Sequence, residues 1–438
     1  MAVCPLLGWD WIPGHVTPLC AFLKVKPITV RHAIPPVSFA VFVLGLRYAW
    51  GRSSSPFLLG AALVGSSFAL NVAVASMSDG VQAVGRPFTY YGLDYFTDVP
   101  FVRTPFQFLR DFSHLRPHFT MHARTHPPGP ILILWVLSLL NDGNVLYVGL
   151  WTVLFGSMAA LPLYWFVRDL TDERTALIAA GLWCVVPTTV LYGATSMNAV
   201  YAACSITSLW LFNRAMLRDA WRYGPLAGLA FGLTFFMSFD MGNLGIYCAV
   251  MFLLCAANAE SRRTATVAAG LCVAAFAAFY SLLYVSTGYN VIVAMRDAVQ
   301  QVRADLQLMD KLTPRASYWA WRFGNPFEVL FFAGVPTAAL LISGLRHSIG
   351  NIKIIRENAM GMVIFAGLAL MIVFNFTYLG KSEEARVSSF YLVFIIAPAT
   401  LALRRVLDVT GTTGMLYATL GLMFIQTWLM ETLLFTYW

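Results

Sequence analysis

Residues 77–130, MSDGVQAVGRPFTYYGLDYFTDVPFVRTPFQFLRDFSHLRPHFTMHARTHPPGP, form the stretch that organises the rest of the chain. It gathers Asp79, Asp94, Asp98 and Asp111, five Arg, and four of the seven His of the whole sequence. An apolar span, Pro56–Ser76, leads into it, and ten apolar residues, 131–140 (ILILWVLSLL), follow it. A polar and aromatic segment between apolar spans reads as the first long loop of a membrane protein. Acid, base and aromatic surface in one such loop points to chemistry at the membrane face.

The composition bounds the fold class. Of 438 residues, 59% are hydrophobic and 11% charged, where soluble domains average about 25% charged. The chain therefore reads as all-α, integral and polytopic, because only helices or closed barrels satisfy their backbone in lipid. A net charge of +8 is assigned to basic loops facing anionic lipid, not to nucleic acid. Five of the seven Cys (Cys184, Cys204, Cys248, Cys255, Cys272) fall in apolar spans and none forms a CxxC. They read as packed thiols, so no zinc-type site is expected.

Spans long enough to cross a bilayer are predicted at 56–76, 144–167, 265–286, 326–345, 358–378 and 412–432. Shorter ones are predicted at 34–50, 175–191, 197–213, 224–239, 243–258 and 387–403. The total is about eleven to thirteen, with juxtamembrane helices in the first loop. Segment 131–140 is too short to cross and reads as interfacial or re-entrant. Residues 1–33, broken by Pro5, Pro13, Pro18 and Pro27, read as a partly interfacial N-terminal segment. Residues 34–438 read as one transmembrane domain with an outer loop 77–143 and an amphipathic outer loop 287–325.

Loop charges orient the bundle. With 56–76 running outward, the short inner loops hold twelve basic residues: Arg168, Arg174, Arg214, Arg218, Arg222, Arg262, Arg263, Arg346, Lys353, Arg356, Arg404 and Arg405. The short outer loops hold two, Lys381 and Arg386. That bias supports the orientation. A conflict stays at the start: if 34–50 crosses, Lys24, Lys26 and Arg31 lie outside. Either 5–23 also inserts or 34–50 is a partial helix.

Three patches carry candidate chemistry. Asp94 and Asp98, spaced i, i+4, would share a helix face, and Asp79 follows the span directly. Any of them is a candidate general base for a hydroxyl proton. In His122-Ala123-Arg124-Thr125-His126-Pro127-Pro128-Gly129, the prolines end any helix and present Arg124 and His126 in an extended turn. Such a cationic patch suits a phosphate. The third, 381–386 (KSEEAR), sets Glu384 and Arg386 at a membrane boundary.

In this order and spacing the chain resembles the GT-C superfamily of membrane glycosyltransferases, among them the protein O-mannosyltransferases and the lipid A aminoarabinose transferases. Asp98 stands 28 residues before His126-Pro127-Pro128, similar to the spacing in the mannosyltransferases. Further similarities are 97–102 (TDVPFV), 106–112 (FQFLRDF), Arg168-Asp169-Leu170, Val186-Pro187, Ser196-Met197-Asn198, Gly324–Glu328 and Glu384-Ala385-Arg386. Two departures stand out. Many relatives carry Asp where Asn198 stands, and the Asp-Glu pair expected after the first span is absent, since Gly80 follows Asp79.

The resemblance implies an inverting transfer of a sugar from a polyprenyl-phosphate donor to an acceptor hydroxyl of a glycan, lipid or protein. It implies Asp98, then Asp94, then Asp79, as base. Arg124, His126, Arg386 and His122 would hold the donor phosphate, and Tyr91, Tyr95, Glu384, Trp319 and Asn198 would contact substrate. No DxD motif lies in the outer loops, so no cofactor is implied, although a divalent cation is compatible. The implied location is a bacterial cytoplasmic membrane ahead of the endoplasmic reticulum, with the site outside. The rival is a transporter or flippase of lipid-linked sugars. It would need a polar path inside the spans, where only Asn71, Asn375 and Asp240 stand out. Asp240, between Phe239 and Met241-Gly242-Asn243, reads as an outer turn.

Overall fold

A computed structural model describes residues 21–50, 56–89, 94–194, 197–312, 316–349, 358–377, 384–387 and 389–435. Among the described residues the regular structure is all helical apart from one two-residue ladder, β1 (Phe22–Leu23) with β2 (Leu434–Phe435). Helices α1 (Ile34–Trp50) and α2 (Pro56–Asp79) come first. The first loop carries α3 (Pro105–Leu115), α4 (Met121–Thr125) and the short apolar α5 (Gly129–Leu140). The bundle continues with α6 (Val145–Ser157), α7 (Ala160–Leu170), α8 (Glu173–Val185), α9 (Pro187–Leu191), α10 (Asn198–Leu217), α11 (Ala220–Met237), α12 (Leu244–Ala257) and α13 (Ala259–Thr287). It closes with α14 (Val291–Leu312), α15 (Ala316–Phe332), α16 (Val335–Ile349), α17 (Ala359–Phe376), α18 (Glu384–Val387), α19 (Leu392–Thr410) and α20 (Gly414–Leu433).

Among the described residues, seven helices are long and apolar enough to cross a membrane, or eight if one bent pair counts as a single span. The protein is a multi-pass membrane protein. The count is below eleven to thirteen because the expected span 175–191 is broken and the continuous helices over 197–213, 224–239 and 412–432 (α10, α11 and α20) are less apolar than the seven. The firm span 326–345 is the main correction: α15 and α16 meet at a bend of 108°. Gly334, at φ 90°, adopts a conformation that side chains disfavour, and Pro336 follows it. The groups freed by this break find partners. Gln426 Nε2 donates to Phe331 O (2.8 Å), Thr188 Oγ1 donates to Phe332 O (3.1 Å), and Val335 N donates to Gln426 Oε1 (2.8 Å). Backbone irregularity at membrane depth requires such partners. The expected span 175–191 likewise splits at Pro187 into α8 and α9, and Thr427 Oγ1 donates to the freed Val185 O.

At the N-terminus α1 is full-length, which removes the partial-helix alternative; the other alternative, insertion of 5–23, falls on residues 5–20, outside the described residues. Residues Val30–Trp50 form one of the seven crossing candidates. Arg31 Nη1 donates to Ser78 O at the far end of α2, so α1 and α2 run antiparallel. Lys24, Lys26 and Arg31 thus share the end of the bundle where the 77–143 loop begins. Lys26 pairs there with Glu431, and Lys24 lies over the Phe435 ring. At the opposite end, Asp169 pairs with Arg214 (2.6 Å) and Arg218 (3.4 Å), and Arg404 reaches Asp172 and Asp408.

Packing is closest where glycine replaces bulk. A Cβ on Gly224, Gly228 or Gly232 would lie 2.9 Å or less from α13 atoms of Leu271, Cys272 or Phe279. This i, i+4, i+8 stripe lets α11 and α13 approach backbone to backbone. Amphipathic α14 packs against α3 and α4, with Ala294 and Ala298 buried. It therefore covers the first-loop helices.

Candidate functional site

The first loop positions its acids with local caps. Asp94 is the N-cap of a 3-10 turn, Tyr95–Phe101, its Oδ1 accepting from Phe96 N at 2.8 Å. Four residues on, Asp98 is 1% exposed. Its oxygens accept from Thr120 N at 3.1 Å each, and Oδ2 also accepts from Thr120 Oγ1 at 2.7 Å. Thr120 is the N-cap of α4, so Asp98 ties the turn to the helix carrying His122 and Arg124. Burial raises both carboxyls. Asp94 is pushed up to about 7, against the pull of the Phe96 N–H and helped by the nearby Asp98 charge. Asp98 is raised by burial as well, opposed by the Thr120 bonds and the Arg124 charge.

The His-Pro-Pro-Gly turn sets the next group. His126 ends α4 in an extended conformation (φ −114°, ψ 163°), and α5 starts at Gly129. A Cβ on Gly129 would sit 2.3 Å from Phe236 O, so only glycine lets the start of α5 meet the end of α11. That contact sets the turn after α11, Phe239–Asn243, opposite His126. His126 Nε2 faces Asp240 Oδ2 at 3.7 Å. The imidazole is stacked with Tyr201 (6.2 Å between centroids) and edge-on to Tyr95 (5.6 Å). Its Nδ1 lies 2.9 Å from His122 O and 3.1 Å from Thr125 Oγ1. A carbonyl only accepts, so Nδ1 carries a proton. Burial lowers His126, with the Arg386 and Arg116 charges adding to it and Asp240 opposing. His122 is lowered to about 3 by burial, Arg386 and His126. The His122 ring is therefore neutral near pH 7, and the His126 ring is held toward its neutral form.

Three guanidinium groups surround these rings. Arg386, on α18, is buried, and its charge reaches His122, His126 and Tyr95. Glu384 N donates to Glu328 Oε2 at 3.2 Å, which joins the Gly324–Glu328 and Glu384–Arg386 segments. Arg116 is 5% exposed. Its Nη1 donates to Arg124 O at 3.1 Å, and its guanidinium lies 5.1 Å from the Phe112 ring centroid. Arg116 Nε and Nη2, Arg124 Nε and Tyr289 Oη are buried without a hydrogen-bond partner among the described residues. Buried donors carry a cost when unmet, and donors of this kind suit an anion.

The structure therefore brings together Asp94, Asp98, Tyr95, His122, Arg124, His126 and Arg386. Asp79 stands apart. It pairs with Arg86 at 2.6 Å on the exposed surface, near Glu431. Asn198 opens α10 three residues before Tyr201. Tyr91, Lys381 and Glu383 lie outside the described residues, as does the side chain of Trp319. Sequence reading missed Tyr201, Asp240, Arg116 and Tyr289. Asp240 did carry a signal, as an acid at an outer span end, but its partner is distant in sequence. Tyr201 looked like one more aromatic in a span. Among the described residues, no group of three or more His, Cys, Asp or Glu converges as a metal site.

Comparison with known proteins adds to this geometry. Residues 125–284 match the sequence model of a family described as dolichyl-phosphate-mannose-protein mannosyltransferase. The fold is similar to crystal structures of the Archaeoglobus fulgidus oligosaccharyltransferase. One, a complex with Zn and sulfate, has TM-score 0.54 at 17% identity, over 86% of this chain and 53% of that one. Another, tethered to an acceptor peptide containing the NVT sequon, has TM-score 0.52 at 15% identity, over 83% and 55%. The chain thus spans about half the length of those proteins. No curated protein matches it in sequence. The matched segment begins at Thr125 and His126 of the turn described above and runs to the last turn of α13, and the fold similar to the oligosaccharyltransferase takes in most of the remainder.

Proposed function

We propose that the protein transfers a sugar from a polyprenyl-phosphate carrier to an acceptor hydroxyl. The reaction takes place at the end of the bundle that holds residues 77–143, the outer face by the loop charges, in a bacterial cytoplasmic membrane. One observation carries this reading: Asp94, a buried carboxyl pushed up to about 7, lies in the same cluster as the Arg386 charge and as Arg116 and Arg124, whose buried Nε donors have no hydrogen-bond partner among the described residues. A base and an anion pocket side by side are what a displacement at a glycosyl phosphate requires.

The acceptor oxygen forms a bond to the anomeric carbon from the face opposite the phosphate, and its proton passes to Asp94. The bond from carbon to phosphate oxygen breaks, and its electron pair leaves with the phosphate. The carrier phosphate gains charge in this step. Arg124, Arg386 and His126, with Arg116 and Tyr289 beside them, stabilise that charge. His122 supports the turn. The single displacement inverts the anomeric configuration. Asp98, with both oxygens engaged by Thr120, positions α4, and is the second candidate for the base. Tyr95, Glu384 and Asn198 line the approach of sugar and acceptor, a glycan, lipid or protein.

The test is sugar transfer by purified protein in liposomes. A panel of labelled polyprenyl-phosphate sugars is offered with a membrane extract as acceptor source, beside the Asp94→Asn and Asp98→Asn variants. Transfer that vanishes in Asp94→Asn supports the assignment. Label that crosses the bilayer without changing carrier points to transport instead, and no donor consumption by folded protein overturns the transferase reading.

A further inference from the structure

The group opposite His126 has no part in the reaction as written above, yet its placement is specific. Asp240 is held by its own turn: its backbone N–H donates to Ser238 Oγ, and Asn243 Nδ2 donates to Asp240 O. Its carboxylate is 41% exposed at the side chain, while the His126 side chain it faces is 16% exposed. The imidazole cannot turn away. Tyr95 and Tyr201 enclose the ring, and the bond from Nδ1–H to His122 O fixes its tautomer. In the neutral ring the bare Nε2 lone pair therefore points toward a carboxylate. That contact becomes favourable only when Nε2 takes a proton.

We propose that Asp240 is a positioning residue that makes His126 a proton-coupled clamp for the carrier phosphate. This rests on the transferase reading and deepens it. The protein charges facing His126 are Arg386 from α18, Arg116 from the turn before α4, and Asp240. Around it Tyr95, His122 and Tyr201 are neutral, and Asp94 lies beyond Tyr95. Burial and the two guanidinium groups hold the ring toward its neutral form, with Asp240 opposing them. A phosphate bound among Arg116, Arg124 and Arg386 offsets those positive charges. Asp240 then tips the balance: a proton from solvent adds to Nε2, and the imidazolium binds the phosphate on one side and Asp240 on the other. Binding and protonation are linked, and the coupling is reciprocal. The proton arrives as negative charge appears, so the grip is strongest on the departing monoester dianion and weaker on the incoming diester.

The sign of the effect separates this role from a simple charge effect. Asp240 is an anion beside an anion site. If it acted only by its own charge, Asp240→Asn would bind phosphate more tightly at every pH. If it acts through His126, the variant binds more weakly at low pH, where wild type protonates the ring, and not at high pH, where neither does.

The experiment is titration calorimetry of the full-length protein in nanodiscs with a short-chain prenyl monophosphate. It is run at pH 6.0, 7.5 and 8.5, each in two buffers of different ionisation heat. The His126→Gln variant supplies the correction for the ligand's own titration. Wild type should take up protons beyond that correction at pH 7.5. Asp240→Asn should lose at least half of this uptake and bind about tenfold more weakly at pH 6.0, the effect of roughly one pKa unit of coupling. Asp240→Glu should restore both. Tighter binding by Asp240→Asn throughout, or proton uptake equal to wild type, overturns the clamp while liposome transfer leaves the transferase reading intact. No binding of the prenyl phosphate by folded wild type overturns both.

Discussion

Thr120 occupies both carboxylate oxygens of Asp98, with its backbone N 3.1 Å from each and its hydroxyl 2.7 Å from Oδ2. The acid implied first by the resemblance is thus the one with a structural duty. Asp98→Ala leaves the Thr120 donors buried and unmet, a change that costs about 1–3 kcal/mol. Thermal unfolding in detergent should show a lower midpoint for this variant, with transfer falling alongside it. A stable, fully folded Asp98→Ala with no transfer would return the base to Asp98.

Asp94 should behave in the opposite way. Its carboxyl is held near 7 by burial, so folding favours its protonated form. The folded state loses stability as pH rises from the ordinary carboxylate range through about 7, and the penalty is complete above that. Asp94→Asn should therefore match wild-type stability near pH 4 and exceed it at pH 8. Transfer should drop by about 10²–10⁴-fold, the usual contribution of a general base.

The wild-type pH–rate profile follows from the same residue. A base must be ionised, so kcat/KM for sugar transfer should rise with pH and level off above about 7. A profile flat from pH 5 to 8 with the chemical step limiting would remove Asp94 from that role.

Gly129 tests the geometry of the turn. A methyl group there meets Phe236 O at 2.3 Å, a backbone atom that cannot swing aside. Gly129→Ala should destabilise by about 1–3 kcal/mol through overpacking. Because α5 and the turn carrying Asp240 shift together, transfer should fall more than the melting temperature suggests. Stability and transfer both at wild-type levels would show that the contact does not set the site.

Asp79 is the control. It pairs with Arg86 at the surface, half-exposed, and such pairs contribute about 0–1 kcal/mol. Asp79→Asn should keep transfer within a few-fold of wild type in the liposome assay. A loss on the scale expected for Asp94→Asn would place the base at Asp79.

Much of this was legible in the sequence. The apolar runs gave most helices, and the proline pair gave the turn at His126, because both signals are local. The bend at Gly334 was hidden, because 326–345 is apolar enough on average to read as one span and hydropathy ignores φ. Asp240 and Arg116 were hidden differently. Their roles depend on the approach of α5 to α11 and of α3 to α14, contacts between segments far apart in sequence. The ranking of the acids depended on which side chain a cap had already engaged, and i, i+4 spacing cannot report that.

The ladder between Phe22–Leu23 and Leu434–Phe435 also has a practical meaning. It fastens both ends of the described chain to one end of the bundle, beside Asp79 and the start of the 77–143 loop. A pair of labels at Lys24 and Phe435 would therefore report on that one end of the bundle, and loss of their proximity would read out release of the ladder independently of the helices.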